Sequence, residues 1–219
     1  MTSILITSGP TRQYLDPVRY LTNASSGQMG AALAEAALGR GHAVTVVTGP
    51  VSIAYPAQAQ VVQVDTTDEM LSAVLELFPQ HQGLIGAAAP CDYMPHRVSS
   101  GKIAKDGRPL MLELIETADI VATAAQRKRP DQWVVGFALE TEDQRFRAIV
   151  KMQRKCCDLM VSNGPSAINA ATNDVEIIAA DGTTIALASG SKRDVAEAII
   201  QAAQPLMDAA ASTSRVDSL

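Results

Sequence analysis

Aromatic side chains are scarce in this 219-residue chain. Phe, Trp and Tyr together make up 4% of it, too few for the stacked platform on which single-stranded nucleic acid is read. Positive charge is not in excess either. Lys and Arg number 18 against 23 Asp and Glu, a formal net charge of -5, which excludes a chain-wide polyanion surface and leaves room only for a local basic cluster. The three cysteines are Cys91, Cys156 and Cys157; two are adjacent, so no disulfide framework exists, and they read as ordinary buried thiols of a reducing compartment. His42, His81 and His96 are scattered without metal-ligand spacing. No apolar run reaches the ~18 residues of a membrane span, and no secretory leader pattern opens the sequence. The expectation is a cytoplasmic protein that binds neither nucleic acid nor membrane.

What is present is an apolar fraction of 47%, enough for a sizeable core. Ser3–Ser8 and Ala43–Thr48 are short, apolar, β-branched runs, closed by Gly9-Pro10 and Gly49-Pro50. Val61–Val64, Leu84–Ala89, Trp133–Ala138 and Leu159–Ser162 read as further strands, and Val175–Ala179 with Thr184–Leu187 as a hairpin. Helices fall between them at Gln28–Gly39, Glu69–Phe78, Ile120–Arg127 and Gln144–Cys156, and a last one at Lys192–Met207. Buried strands alternating with helices predict a Rossmann-like α/β fold: three αβα layers on a mainly parallel sheet, with a late antiparallel hairpin. Residues 1–207 form one domain in this reading, with an irregular flap at about 90–109 and a disordered tail at 208–219.

Ligands of such sheets bind beyond the carboxyl ends of the strands. The nicotinamide fingerprint Gly-x-Gly-x-x-Gly is missing from the first turn, and the second strand ends in Thr48-Gly49-Pro50 without an acidic residue; a Walker loop is missing too. Instead, Asn23-Ala24-Ser25-Ser26-Gly27 precedes the first helix. Ser25 or Ser26 suits an N-cap, and Gly27 and Gly30 allow close approach, a pattern that serves an ordinary capped helix or an anion site. Gly86, Ala87 and Ala88 leave room for a flat base or pack against a helix. Asp92 beyond them is a turn former, or a ligand for a ribose hydroxyl, an exocyclic amine or Mg²⁺. Lys102 and Lys105 lie in the flap, while Lys151 and Lys155 share one helix face with Arg147. Together these point to a nucleoside triphosphate held without a P-loop.

The stretches Ile6–Arg12, Leu15–Tyr20, Asn23–Gly30, Val47–Val51, Ala88-Ala89 with Asp92-Tyr93, Lys102-Ile103-x-Lys105, Asp119–Val121, Val135–Thr141 and Lys151–Leu159 occur together and in order. In them the chain resembles phosphopantothenoylcysteine synthetase, the phosphopantothenate–cysteine ligase of coenzyme A biosynthesis. The resemblance implies a homodimer that joins 4′-phosphopantothenate to cysteine through an acyl-cytidylate, with CTP and Mg²⁺. It implies no flavin, and a separate decarboxylase as a candidate partner. By resemblance Asn23 orients the acyl group and Lys102 reaches the phosphates. Gly86, Ala87, Ala88, Asp92 and Phe137 form the cytidine site, with Ala118, Asp119, Ile120 and Val121 alongside. Lys151 and Lys155 hold the triphosphate, Ser25, Ser26 and Gly27 face a phosphate, and Asp92 is the metal ligand. The chain departs from the family pattern at Ala104, Thr117-Ala118, Ser162-Asn163-Gly164 and Pro90-Cys91. The competing readings are a divergent nucleotide-binding relative without ligase activity and, disfavoured by the missing fingerprint, an oxidoreductase.

Overall fold

A computed structural model describes residues 1–139, 143–163 and 172–216. The resemblance at Glu140-Thr141 and Gly164, and the last three residues of the predicted tail, lie outside them.

The first strand, β1 (Ser3–Ser8), is buried along most of its length and sits in the middle of the sheet. The short strands β2 (Arg12–Tyr14) and β3 (Tyr20–Thr22) pair with each other apart from it. After α1 (Gln28–Gly39) come β4 (Ala43–Thr48), β5 (Gln60–Gln63), α2 (Thr67–Leu77) and β6 (Gly83–Gly86). A second small ribbon pairs β7 (Tyr93–Pro95) with β8 (Leu114–Glu116). Then follow α3 (Ile120–Ala125), β9 (Trp133–Leu139), α4 (Gln144–Lys155), β10 (Leu159–Asn163), β11 (Thr172–Ala179), β12 (Thr184–Ser191) and α5 (Lys192–Val216).

The 8-stranded sheet is ordered β12-β11-β10-β9-β6-β1-β4-β5. From β5 to β10 every neighbouring pair is parallel; β11 pairs antiparallel with both β10 and β12. Counted along the chain, the parallel strands stand in the order 3-2-1-4-5-6, the doubly wound arrangement. Alternation along each strand divides the core. Ile4, Ile6, Val46 and Val135 pack with Leu33 and Ala37 of α1 and Ile199 of α5. Leu5, Val47 and Val134 face the other way, onto Met70 of α2, Ile120 of α3 and Met152 of α4. The three αβα layers follow directly, as the sequence predicts.

The helix starts carry the polar residues that their exposed N–H groups require. Thr66 and Glu69 form a capping box on α2, the Asp119 carboxylate accepts from the Ala122 amide on α3, and Ser191 with Asp194 closes the start of α5. Three details depart from the sequence reading. The predicted loop from Gly9 to Thr22 contains the β2–β3 ribbon. Helix α5 continues past Met207 to Val216, through the stretch read as a disordered tail, because Met207 and Ala210 remain buried against the sheet. Cys156, read as a buried thiol, is exposed: it terminates α4 in a left-handed conformation that turns its side chain out of the core, whereas Cys91 and Cys157 are buried.

Candidate functional site

The strand order reverses between β1 and β6, and a crevice opens there beyond their carboxyl ends. Helix α1 starts in it. Its N-cap is Gly27, at φ 76°, not Ser25 or Ser26, and among the described residues no side chain caps the helix. Only glycine takes that backbone conformation without strain, and the serines stand one and two residues before the cap position. Ser25 Oγ accepts from the Gly27 amide at 3.4 Å, and the Ser8 hydroxyl donates to the Gly27 carbonyl at 3.1 Å. A Cβ on Gly30 would lie 2.1 Å from Ser8 Oγ, so α1 reaches β1 only because residue 30 has no side chain. The result is a helix start whose first N–H groups, carrying the positive end of the dipole, face the crevice without a side-chain cap.

Across the crevice runs the loop after β6. Threonines bolt it down. Thr11 Oγ1 accepts from the Cys91 amide at 2.9 Å and bonds Thr67 Oγ1 at 2.8 Å, and Thr117 Oγ1 donates to the Cys91 carbonyl at 2.7 Å. Burial pushes the Cys91 thiol pKa up, and its Sγ donates to the Thr11 carbonyl. The Asn23 side chain spans to this loop: Nδ2 donates to the carbonyls of Ala89 at 3.2 Å and Pro90 at 2.8 Å. Those bonds fix which end of the amide is the oxygen, and among the described residues Oδ1 has no partner.

Two contiguous clefts result. One, of about 530 Å³, is lined by Gly86, Ala88, Asp92, Ala118, Asp119, Ile120, Val121, Phe137 and Lys155. The other, of about 500 Å³, is lined by Asn23, Ser25, Ser26, Gly27, Ala87, Asp92, Phe137, Lys151 and Lys155 among others. Lys155 Nζ stands 3.0 Å from Asp119 Oδ2, while Asp119 Oδ1 caps α3, so the start of one helix aims the lysine at the end of another. The small residues Ala87 and Ala88 after β6 line the floor of the clefts. A Cβ on Gly86 would meet Val121 at 2.4 Å, so that glycine also serves packing.

Three lining residues escaped the sequence reading. Asn163, Asn173 and Lys192 enter the second cleft from the ends of β10, β11 and the start of α5. Lys192 Nζ lies 3.4 Å from Asn173 Oδ1, and desolvation pulls its ammonium pKa down. Asn163 Oδ1 is buried, and among the described residues it has no hydrogen-bond partner. Only the antiparallel return of β11 and β12 brings these groups to Lys151; no local sequence signal announces it.

Residues 1–206 match the family model described as the DNA/pantothenate metabolism flavoprotein C-terminal domain. The chain belongs to this family. It is 38% identical over 211 residues to the coenzyme A biosynthesis bifunctional protein CoaBC of Vibrio vulnificus, a match covering 94% of this chain and 52% of that protein. To the same-named protein of Escherichia coli it is 41% identical over 190 residues, covering 84% and 47%. The chain thus spans about half the length of the curated relatives it matches. The crystal structure of a C-terminal domain of CoaBC superposes with a TM-score of 0.81 at 34% identity, covering 94% of this chain and 96% of that one. A Cab2 mutant in complex with phosphopantothenate-cysteine shares the fold, with a TM-score of 0.80 at 16% identity over 98% and 89% of the two chains.

In this member of the DNA/pantothenate metabolism flavoprotein C-terminal domain family, one expected residue stands apart from the clefts. Lys102 is exposed on the loop between β7 and β8 and lines neither of them. That loop is tied back next to it. The buried Asp16 carboxylate accepts the Ile103 amide at 3.1 Å, and Arg19 Nη2 donates to the Ile103 carbonyl at 2.7 Å. Arg19 Nε and the amides of Val18 and Arg19 complete the shell around Asp16, which holds its carboxyl well below the usual range.

Proposed function

We propose that the chain is a phosphopantothenate–cysteine ligase of coenzyme A biosynthesis. The observation that supports this reading best is the convergence, in one switch-point crevice, of the uncapped start of α1, Asn23 on its carbonyl mounts, and lysines from two helices. The named relatives and the phosphopantothenate-cysteine complex of the fold neighbour agree with it.

In this reading the carboxylate of 4′-phosphopantothenate attacks the α-phosphorus of CTP. The bond to the β-phosphate breaks and pyrophosphate leaves. The amine of cysteine then forms a C–N bond to the acyl carbon, the acyl–phosphate bond breaks, CMP departs and the amine loses one proton. Little covalent chemistry falls to the protein, so positioning and charge stabilisation dominate. The cytosine lies over Gly86, Ala87, Ala88 and Phe137, beside Ala118, Ile120 and Val121. Lys151, Lys155 and Lys192 neutralise the phosphates, while Ser25, Ser26 and the Gly27 helix start donate to them. Asn23 orients the acyl group, and Lys102 swings in on its loop.

The described residues hold no group of three or more His, Cys, Asp or Glu side chains that would cage a metal. Asp92 fits the sparser mode of Mg²⁺, which takes one or two carboxylates and fills the rest of its shell with substrate phosphate and water. Bound there, the ion would withdraw charge from the phosphates. A homodimer is supported by exposed apolar side chains on and beside the β7–β8 ribbon, including Tyr93, Leu110, Met111, Leu114 and Ile115. A phosphopantothenoylcysteine decarboxylase would take the product onward.

The test is to supply MgCTP or MgATP with 4′-phosphopantothenate and cysteine, and to follow pyrophosphate, the nucleoside monophosphate and the amide. CTP-driven release of all three is expected. CTP binding without turnover would favour the inactive relative, and turnover with ATP alone would overturn the choice of nucleotide.

A further inference from the structure

The 23–26 segment lines a second space. Besides the nucleotide cleft, Asn23, Ser25 and Ser26 border a recess of about 340 Å³ whose remaining wall includes Arg12, Tyr20 and Thr22. The β2–β3 ribbon explains why those side chains meet. Arg12 pairs with Thr22 and Tyr14 with Tyr20, so the four share one face of the ribbon, with Gln13 and Leu21 on the other. On the shared face the Arg12 guanidinium lies 4.5 Å from the centroid of the Tyr20 ring, which packs edge-on against Tyr14. Asp65 holds the assembly in place. Its Oδ2 accepts the Tyr14 hydroxyl at 2.6 Å, and its Oδ1 lies 3.4 Å from Arg12 Nη1. The guanidinium is therefore held in one orientation with a third of its side-chain surface exposed, and among the described residues Asp65 is its one ionic partner.

The geometry points to this recess as the site that takes the α-carboxylate of the amino-acid co-substrate, with Arg12 as its anchor. The assignment rests on the ligase reading above. Three arguments carry it. First, the amine must reach the acyl carbon without passing through the cleft that the nucleotide fills, and the recess shares the Asn23 wall with that cleft. Second, the spacing suits an α-amino acid. Arg12 sits across the ribbon from Thr22, at the roughly 4.8 Å separation of neighbouring strands, and Asn23 follows Thr22 directly. A carboxylate on the guanidinium, two bonds from its own amine, brings that nitrogen up to Asn23. Third, the charge suits a monoanion. A planar guanidinium matches a carboxylate with two parallel hydrogen bonds. One such cation beside the Asp65 carboxylate is a poor host for a phosphate dianion, which the lysines of the other cleft serve better.

The experiment compares cysteine with its decarboxylated analogue 2-aminoethanethiol in the wild type, Arg12→Gln and Arg12→Lys, with pyrophosphate release in the absence of any amine as the control. The wild type should prefer cysteine. Arg12→Gln should lower kcat/KM for cysteine by about 10- to 100-fold, the value of one charge-assisted hydrogen bond. It should leave 2-aminoethanethiol turnover and amine-free pyrophosphate release intact, so that the preference collapses; Arg12→Lys should restore part of it. Equal losses for both amines would make Arg12 a structural residue and overturn the assignment, as would a wild type that shows no preference. A raised KM for 4′-phosphopantothenate with that for cysteine unchanged would assign the recess to the phosphate instead. A wild type that releases no pyrophosphate overturns the ligase reading, and this assignment falls with it; normal release with an unaffected Arg12→Gln overturns this assignment alone.

Discussion

The Ile103 amide donates to the buried Asp16 carboxylate at 3.1 Å, so a residue in the turn between β2 and β3 grips the loop that carries Lys102. Asp16→Asn keeps the size of the side chain and removes its charge. It is expected to loosen the loop and to lower kcat by about 10- to 100-fold, the scale of a misplaced reacting group, with little change in nucleotide KM. Limited proteolysis within residues 97–109 should accelerate in parallel. Lys102→Gln should depress turnover with proteolysis unchanged; normal turnover would remove Lys102 from the reaction. The sign of the pH effect follows from the lowered carboxyl. The folded-state pKa lies below the ordinary 3.8, so the grip is fully present above that value and weakens as pH falls below it. The proteolysis rate of the wild type should therefore be flat from pH 8 to 5, which a shallow rise across that range would contradict.

Asn23 is mounted on two backbone carbonyls by its amide nitrogen. Asn23→Ala should cut amide formation by about 100-fold, the usual loss for one hydrogen-bonding group at a reacting centre, while pyrophosphate release falls far less. Rapid-quench measurement of the acyl-nucleotide would show it accumulating. Equal loss of both steps would refute the role.

Gly30→Ala tests the approach of α1 to β1. Alanine gains about 1 kcal/mol of helix propensity over glycine. A Cβ placed 2.1 Å from Ser8 Oγ and 2.4 Å from Ser8 Cβ forces the helix outward, and such overpacking costs about 1–3 kcal/mol. The clash should win. A lower Tm by calorimetry, with weaker nucleotide binding because the helix start has moved, is the expected result; an unchanged Tm would show that the helix yields freely.

The cysteines separate by exposure. Cys156 is exposed, whereas burial raises the Cys157 thiol to about 12 and also raises Cys91. Alkylation at pH 8 followed by mass spectrometry should label Cys156 first and leave the other two until the protein unfolds. Early labelling of Cys157 would contradict its burial.

Much of this was legible before the fold was known. The central strands β1 and β4 are nearly continuous apolar runs because both of their faces are covered, and Gln28–Gly39 ends where Gly39 and Arg40 interrupt it. The lysines of α4 declare a shared face by their spacing. The rest depended on distance through the chain. Asp16 and Ile103 are 87 positions apart, and Lys192 joins Lys151 only through the order of the sheet. Strands of three residues, such as β2 and β3, are too short to show a period, so the ribbon carrying Arg12 read as loop. Ser25 and Ser26 had the right chemistry for a cap, but Gly27 takes the position through a backbone angle that composition does not encode.

The Thr11, Thr67 and Thr117 hydroxyls that converge on Cys91 join the end of β1, the start of α2 and the loop before α3 to one wall of the crevice. That wall therefore opens only when the core does. In native-state hydrogen exchange the Cys91 amide should report the global free energy of unfolding, whereas the loop around Lys102, fastened to the β2–β3 turn at Ser99 and Ile103, should exchange through a local opening of its own. The fold thus keeps the crevice wall at Cys91 rigid and leaves the loop of Lys102, eleven residues further along the chain, to open independently.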